Sequence, residues 1–308
     1  MGRTSRNEGV EPAVTIAPKT MPRAEWEAAR AAYLSRVQPC ADDRARRMSR
    51  GQKHPVRDFL FEYYSFRPAH LLRWSPGVDV ILESATVEDM GWSDFETCEK
   101  GVVLRPKAFA SQRVSYLHWA IDYLETTIAR EPAFACLGLH EWAMVYRDPN
   151  VRHPYVPLRL SREAIDAFVE SQPLRCTHYD AFRFFTPPAA PRNRIELTRA
   201  IAAEHDQPGC IHANMDLYKF AYKIAPFYPS ELVADAFELA LAAREVDMRA
   251  SPYDLAAYGY SAIAIETREG REEYVERQRE VAERAVTVRE NMLAAYRELK
   301  AAIEATSS

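Results

Sequence analysis

Apolar residues recur along this chain at helical spacing far more often than at strand spacing. From Ala24, the segment AEWEAARAAYLSRV places Trp26, Ala29, Tyr33 and Val37 three and four residues apart, one stripe of a helix predicted to run to about Val37. Residues 111 to 130, SQRVSYLHWAIDYLETTIAR, carry Val114, Leu117, Ile121, Leu124 and Ile128 on one face and read as a buried helix stopped by Pro132. Ser230, after Pro229, reads as the N-cap of a second core helix reaching about Met248. From 271 to 306 there is neither Gly nor Pro, and Val281, Ala285, Val288, Met292, Ala295 and Leu299 alternate four- and three-residue steps. That spacing predicts a long C-terminal helix with a heptad-like seam, which closes the chain's own core or pairs two copies into a homodimer. VDVILES, residues 78 to 84, alternates as a strand, with GVVL at 101 to 104 as its partner. The fold class is therefore mainly α, a single large helical domain over 23–308 with a small β element. Residues 1–22 mix Gly, Pro and charge without periodicity and read as a disordered tail.

Composition narrows the function. With 47% hydrophobic and 27% charged residues in 308, a sizeable core is available. The formal net charge of −4 excludes a globally basic nucleic-acid binder, so any DNA contact must come from a local patch. One such run exists, Arg44, Arg46, Arg47, Arg50, Lys53 and Arg57, followed by the aromatic-rich HPVRDFLFEYYSFRPAHLLRW. Arginines beside aromatics can grip phosphates and stack bases. The same pattern also describes a solvated helix face followed by a core helix of Phe59, Leu60, Tyr63 and Tyr64. Otherwise the charge balance suits a small-molecule substrate. The five cysteines are scattered and contain no CxxC pair, which points to reduced thiols in a cytoplasmic protein, with Cys176 and Cys210 as packing residues. Neither a signal-peptide core nor a membrane-length apolar run is present. The ten glycines never approach GxG spacing, so the dinucleotide fingerprint, the P-loop and the GxSxG elbow are missing and no nucleotide cofactor is expected. HExxH is absent as well.

Chemistry concentrates where histidine meets acid. Four aromatic-flanked segments do this: YLHWAID with His118 and Asp122, GLHEWAMVYRD with His140 and Glu141, CTHYDAF with His178 and Asp180, and CIHANMDLYK with His212 and Asp216. On a helix, His118/Asp122 and His212/Asp216 are i,i+4 pairs on one face. Such pairs bind a divalent metal, iron or zinc here, or let a carboxylate orient an imidazole for proton transfer. His178-x-Asp180 with a distant His212 has the composition of a two-His-one-carboxylate site. His54 and His153, each before proline, and His205 in EHDQPG rank lower. At least three of His118, His140, His178 and His212 are expected in one cavity with Glu141, Asp180 or Asp216, because burying imidazoles and carboxylates is costly unless they pair or hold a cation.

The stretches HPVRDFLFEYYSFRPAHLLRW, CLGLHEWAMVYR, THYDAFRFFTP, QPGCIHANMDLYKFAYK and REVDMRASPYDL resemble actinobacterial proteins labelled 3-methyladenine DNA glycosylase, over about residues 45 to 285. The resemblance implies cleavage of the N-glycosidic bond of alkylated bases in DNA repair, with a base flipped into an aromatic pocket. Under it, Glu141, Asp180 or Asp216 is the catalytic carboxylate. Trp142, Tyr179 and Phe182 stack on the base, and Arg46, Arg47 and Arg50 meet the DNA backbone. The chain carries neither the Gly-rich hairpin of helix-hairpin-helix glycosylases nor helical repeats. Two alternatives stand beside this one: a His/carboxylate metalloenzyme, oxidase or hydrolase, acting on a small molecule, and a non-catalytic helical interaction protein.

Overall fold

A computed structural model describes residues 18–307. Among them the chain runs β1 (Lys19–Met21), α1 (Arg23–Ser49), α2 (Phe59–Tyr63), α3 (Pro68–Leu71), β2 (Val80–Glu83), α4 (Val87–Met90), β3 (Phe95–Cys98) and β4 (Gly101–Leu104). It continues through α5 (Ser111–Ile128), α6 (Leu139–Ala143), α7 (Arg162–Ser171), α8 (Tyr179–Phe182), α9 (Ala202–His205), α10 (Ile211–Ile224), α11 (Glu231–Arg249) and α12 (Arg268–Ser307). The protein is mainly helical, with a small sheet and a long C-terminal helix.

The core is a bundle in which α10 packs on α11, and α12 runs along α5, α10 and α11. The seam of α12 faces this bundle within the chain: Ala285 and Met292 are fully buried, and Val281 and Leu299 nearly so. The helix starts at Arg268, earlier than the Gly-free stretch predicts, and takes in Gly270. A Cβ there would stand 2.0 Å from the Ala264 carbonyl oxygen, so only glycine lets the first turn approach the preceding loop.

The expected strand pair is present: β2 and β4 run antiparallel, Ile81 opposite Val103. β3 pairs antiparallel with the far edge of β4. Three further differences from the pattern reading have physical causes. Residues 1–17 of the expected tail lie outside the described residues, but Lys19–Met21, at its end, forms β1, parallel to β2 with Thr20 opposite Ile81. Three residues are too few for a periodicity signal. Helix α1 continues through Pro39 to Ser49, where Val37, Ala41 and Arg44 extend its buried stripe past the expected end. At the start of α11, the Ser230 hydroxyl makes no cap bond to its own helix and accepts a hydrogen bond from the Ser75 amide at 2.9 Å, tying the helix to the segment before β2.

Candidate active site

Two long helices and two short ones bring the polar residues together. Helix α10 is amphipathic in an unusual sense. It buries ten residues, and its polar face, with His212, Asp216 and Lys219 at four- and three-residue steps, points into a cavity instead of to solvent. Helix α11 likewise interrupts a buried stripe of Ala236, Ala240 and Ala243 with Arg244 and Asp247, exposed 1% and 0%. Helix α6 delivers His140 and Glu141 directly after Gly138, whose φ is +67° and whose Cβ would come 2.9 Å from the Tyr274 ring. Helix α8 follows His178 and carries Asp180. The cavity, small at about 30 Å³, is lined among others by His140, Glu141, His178, Asp180, His212 and Asp216.

Two groups of potential ligands lie in or against it, Asp247 being fully buried behind the lining. His140, His212 and Asp247 can each offer one ligand atom with all three atoms within 4.8 Å of one another, and so can His178, Asp180 and Asp216. In the first group the Nε2 atoms of His140 and His212 are 3.1 Å apart. Two nitrogens each about 2.0–2.1 Å from one cation, at angles between octahedral and tetrahedral, would be separated by roughly this distance. Asp247 Oδ1 lies 3.2 Å from His140 Nδ1, yet neither atom has an aligned hydrogen-bond partner, and Glu141 Oε2 and Arg244 Nε are also buried without one. Behind the group, the Arg244 Nη1 donates to Glu141 Oε1 and to Asp247 Oδ2, each at 2.8 Å. Its guanidinium lies 3.8 Å from the centre of the Phe59 ring, and its Nη2 is 3.4 Å from His153 Nε2.

The second group is more completely bonded. His178 Nδ1 is 2.8 Å from Asp206 Oδ1, and the other oxygen of that carboxylate accepts from the Tyr123 hydroxyl at 2.9 Å. The neutral imidazole therefore carries its proton on Nδ1 and turns Nε2 towards Asp216, 3.7 Å away. Asp216 accepts from the Tyr64 hydroxyl at 2.7 Å and from Lys219, which also reaches Asp180 at 3.3 Å.

Burial and charge set the protonation states. Burial, with His140 beside it, lowers His212 to about 4, so His212 is neutral at pH 7 and free to ligate. His153 is likewise lowered to about 4, mainly by burial. His178 moves the other way: burial opposes its charge, but the Asp206 and Asp216 carboxylates outweigh that and raise it. Burial raises the Asp247 carboxyl, and the His140 and His212 imidazoles with Arg244 overcome it, holding Asp247 below its ordinary value. Glu141 is held well below its own, as Arg244 and His140 overcome burial.

The structure thus brings together His140, His178 and His212 with Glu141, Asp180 and Asp216. It leaves His118 out, exposed with Asp122 on the outer face of α5. Trp142 has no face to offer a base: it is fully buried, and its Nε1 donates to the Ala250 carbonyl at 2.8 Å. Phe182 packs on Phe185 with centroids 5.2 Å apart, outside the cavity lining. Tyr179 lines an adjoining cleft. Of the basic run, Arg47 is taken up by Asp43 and Asp58, at 3.1 and 2.6 Å, and Arg44 by Asp58 at 3.0 Å. Arg46 is exposed and leans on Asp43, and Arg50 is exposed just beyond α1.

Sequence reasoning missed Asp247, Arg244 and Asp206. For the first two a signal existed, two charges three residues apart on the apolar stripe of α11. Asp206 sits in the EHDQPG loop, where nothing local distinguishes it.

No known family model, curated protein or solved structure matches the chain. Among the described residues no helix is long and apolar enough to cross a membrane.

Proposed function

We propose that the protein is a metal-dependent enzyme acting on a small molecule, in which His140, His212 and Asp247 hold a divalent cation and His178 exchanges protons beside it. The observation that carries this reading is the pair of Nε2 atoms 3.1 Å apart, on a buried His140 and a partly buried His212, grouped with a carboxylate whose Oδ1 has no hydrogen bond. Two imidazole nitrogens this close beside a carboxylate call for a shared proton or a shared cation, and a cation between the Nε2 atoms would draw a ligand from Asp247 as well.

Two imidazoles and a carboxylate suit both zinc and iron(II). The His178–Asp206 pair favours hydrolysis between the chemistries these metals support. A carboxylate on Nδ1 keeps Nε2 available as a base, and the raised pKa suits a group that takes a proton and returns it. A cation held by His140, His212 and Asp247 would supply Lewis acidity that lowers the pKa of a water. His178, with Nδ1 held by Asp206, keeps Nε2 free to take a proton as a water adds to the substrate and to return it to the departing group. Arg244 keeps Glu141 and Asp247 ionised and in place. N-glycosidic cleavage in DNA would need the arginines of α1, and two of these are engaged by Asp43 and Asp58.

Elemental analysis of protein purified without a histidine tag tests the proposal. Roughly one tightly held cation per chain is expected, lost on paired substitution of His140 and His212 by Ala. Protein that carries no metal and takes up none from zinc, iron(II) or manganese solutions would overturn it.

A further inference from the structure

His178, Asp180 and Asp216 line a second, larger space as well, a cleft of about 520 Å³ on the side of α5 and α9. Its walls combine two features that the chemistry above does not use. One is an aromatic ladder on α5. Trp119, 43% exposed, stacks on Tyr123 with centroids 5.3 Å apart and lies 5.5 Å from Tyr116. An exposed tryptophan over a wall of rings is a surface that a flat ligand can extend. The Tyr116 hydroxyl is buried there without a hydrogen-bond partner.

The other feature is unspent positive charge. Arg199 and Lys223 line the cleft, both exposed, and neither has an ion pair. The Lys223 ammonium sits 4.8 Å from the Tyr116 ring centre. Partial burial, with Lys219 nearby, lowers its pKa and outweighs the more distant pull of Asp216 and Asp180. Lys219 differs, because it is committed to Asp216 and Asp180. The cleft therefore offers rings at its wall, free cations at its rim, and at its floor the His178 group.

We infer that this cleft is the substrate-binding site, and that it takes a small molecule made of a flat aromatic ring bearing an anionic group, phosphate or carboxylate. The ring lies against the Trp119 ladder, Arg199 and Lys223 hold the anion, and the reacting bond is directed to the His178 face. This assignment of substrate class rests on the hydrolytic reading of the same site, but binding in the cleft needs no metal.

Calorimetry with 2-naphthyl phosphate, 2-naphthoate, 2-naphthol and inorganic phosphate tests it, each run on metal-loaded and on chelator-treated protein. Naphthyl phosphate or naphthoate should bind at least tenfold more tightly than naphthol or phosphate alone and quench Trp119 fluorescence. The preferred anion identifies the natural class. The doubly substituted Arg199→Glu, Lys223→Glu protein should lose that advantage, a drop of roughly tenfold or more for the removal of charge-assisted contacts, with its melting temperature unchanged. Trp119→Ala should weaken the ring ligands and leave inorganic phosphate alone. If naphthol binds as tightly as the anions, or the double variant binds unchanged, the inference falls. Binding without metal uptake would sink the metal proposal and spare the cleft, whereas metal uptake without binding would do the reverse.

Discussion

Arg244 lies in the interior with two carboxylates on one of its nitrogens and an aromatic ring under its plane. A buried charge keeps its place only while its partners remain, so Asp247→Asn should destabilise the fold by about 3 kcal/mol in chemical denaturation and abolish metal retention. His118→Ala, on the outer face of α5, should change neither, and a loss of metal in that variant would contradict the assignment of ligands. Arg47→Ala should lower stability by about 1–3 kcal/mol, because it removes one partner of a buried Asp58. If it instead weakened binding to duplex DNA with stability intact, the basic run would have to be reassigned as a nucleic-acid contact. Protonation adds a pH signature. His212 and His153, held to about 4, are neutral in the fold and take up protons on unfolding, so they erode stability as pH falls from about 6.5 towards 4. His178 is raised, so its contribution is full below about 6.5 and is lost as pH climbs through its folded value. Metal-free protein should therefore melt highest near neutrality, and His212→Gln should flatten the acid limb. An unchanged acid limb would show that His212 is not buried as described.

Elements were legible where they are long, and sites were legible only in part. α5, α11 and α12 carry five or more apolar positions at 3.6-residue spacing, enough to fix their existence and nearly their ends. β1 and the last dozen residues of α1 were not, since three residues show no period and Pro39 argues locally for a stop that packing overrides. His140, His178 and His212 could be picked out by their acidic neighbours in sequence, but the acids that act on them are mostly other ones. His212 and Asp216 share a face of α10 as their spacing implies, yet His212 stands with Asp247 from α11 and Asp216 with His178. Long-range pairing of that kind leaves no trace in a local pattern. The glycine before α6 is a case where an element can be tested directly. Gly138→Ala places a methyl group against Tyr274 at a positive φ and should cost about 1–3 kcal/mol while displacing His140, so metal affinity should fall along with stability. Stability lost with metal affinity intact would mean that α6 does not depend on that turn for its position.

For the whole molecule, metal and fold should be linked. The ligands come from α6, α10 and α11, so a cation bound at a hundred times its Kd should add about 2.7 kcal/mol to the native state and raise the melting temperature by several degrees. Absence of any shift with zinc, iron(II) or manganese would count against a site built across these helices. One feature reaches further. His178, Asp180 and Asp216 line both the inner cavity and the outer cleft. The proposed metal site and the proposed substrate cleft then open on different sides of these residues, and a small anion such as azide on the cation and a naphthyl ligand in the outer cleft should be able to occupy the protein at once. Doubly inhibited kinetics should give intersecting rather than parallel lines. On that outcome water would reach His178 from the inner cavity while the organic substrate enters and leaves by the cleft, with the two meeting at His178 and no opening of the protein between turnovers.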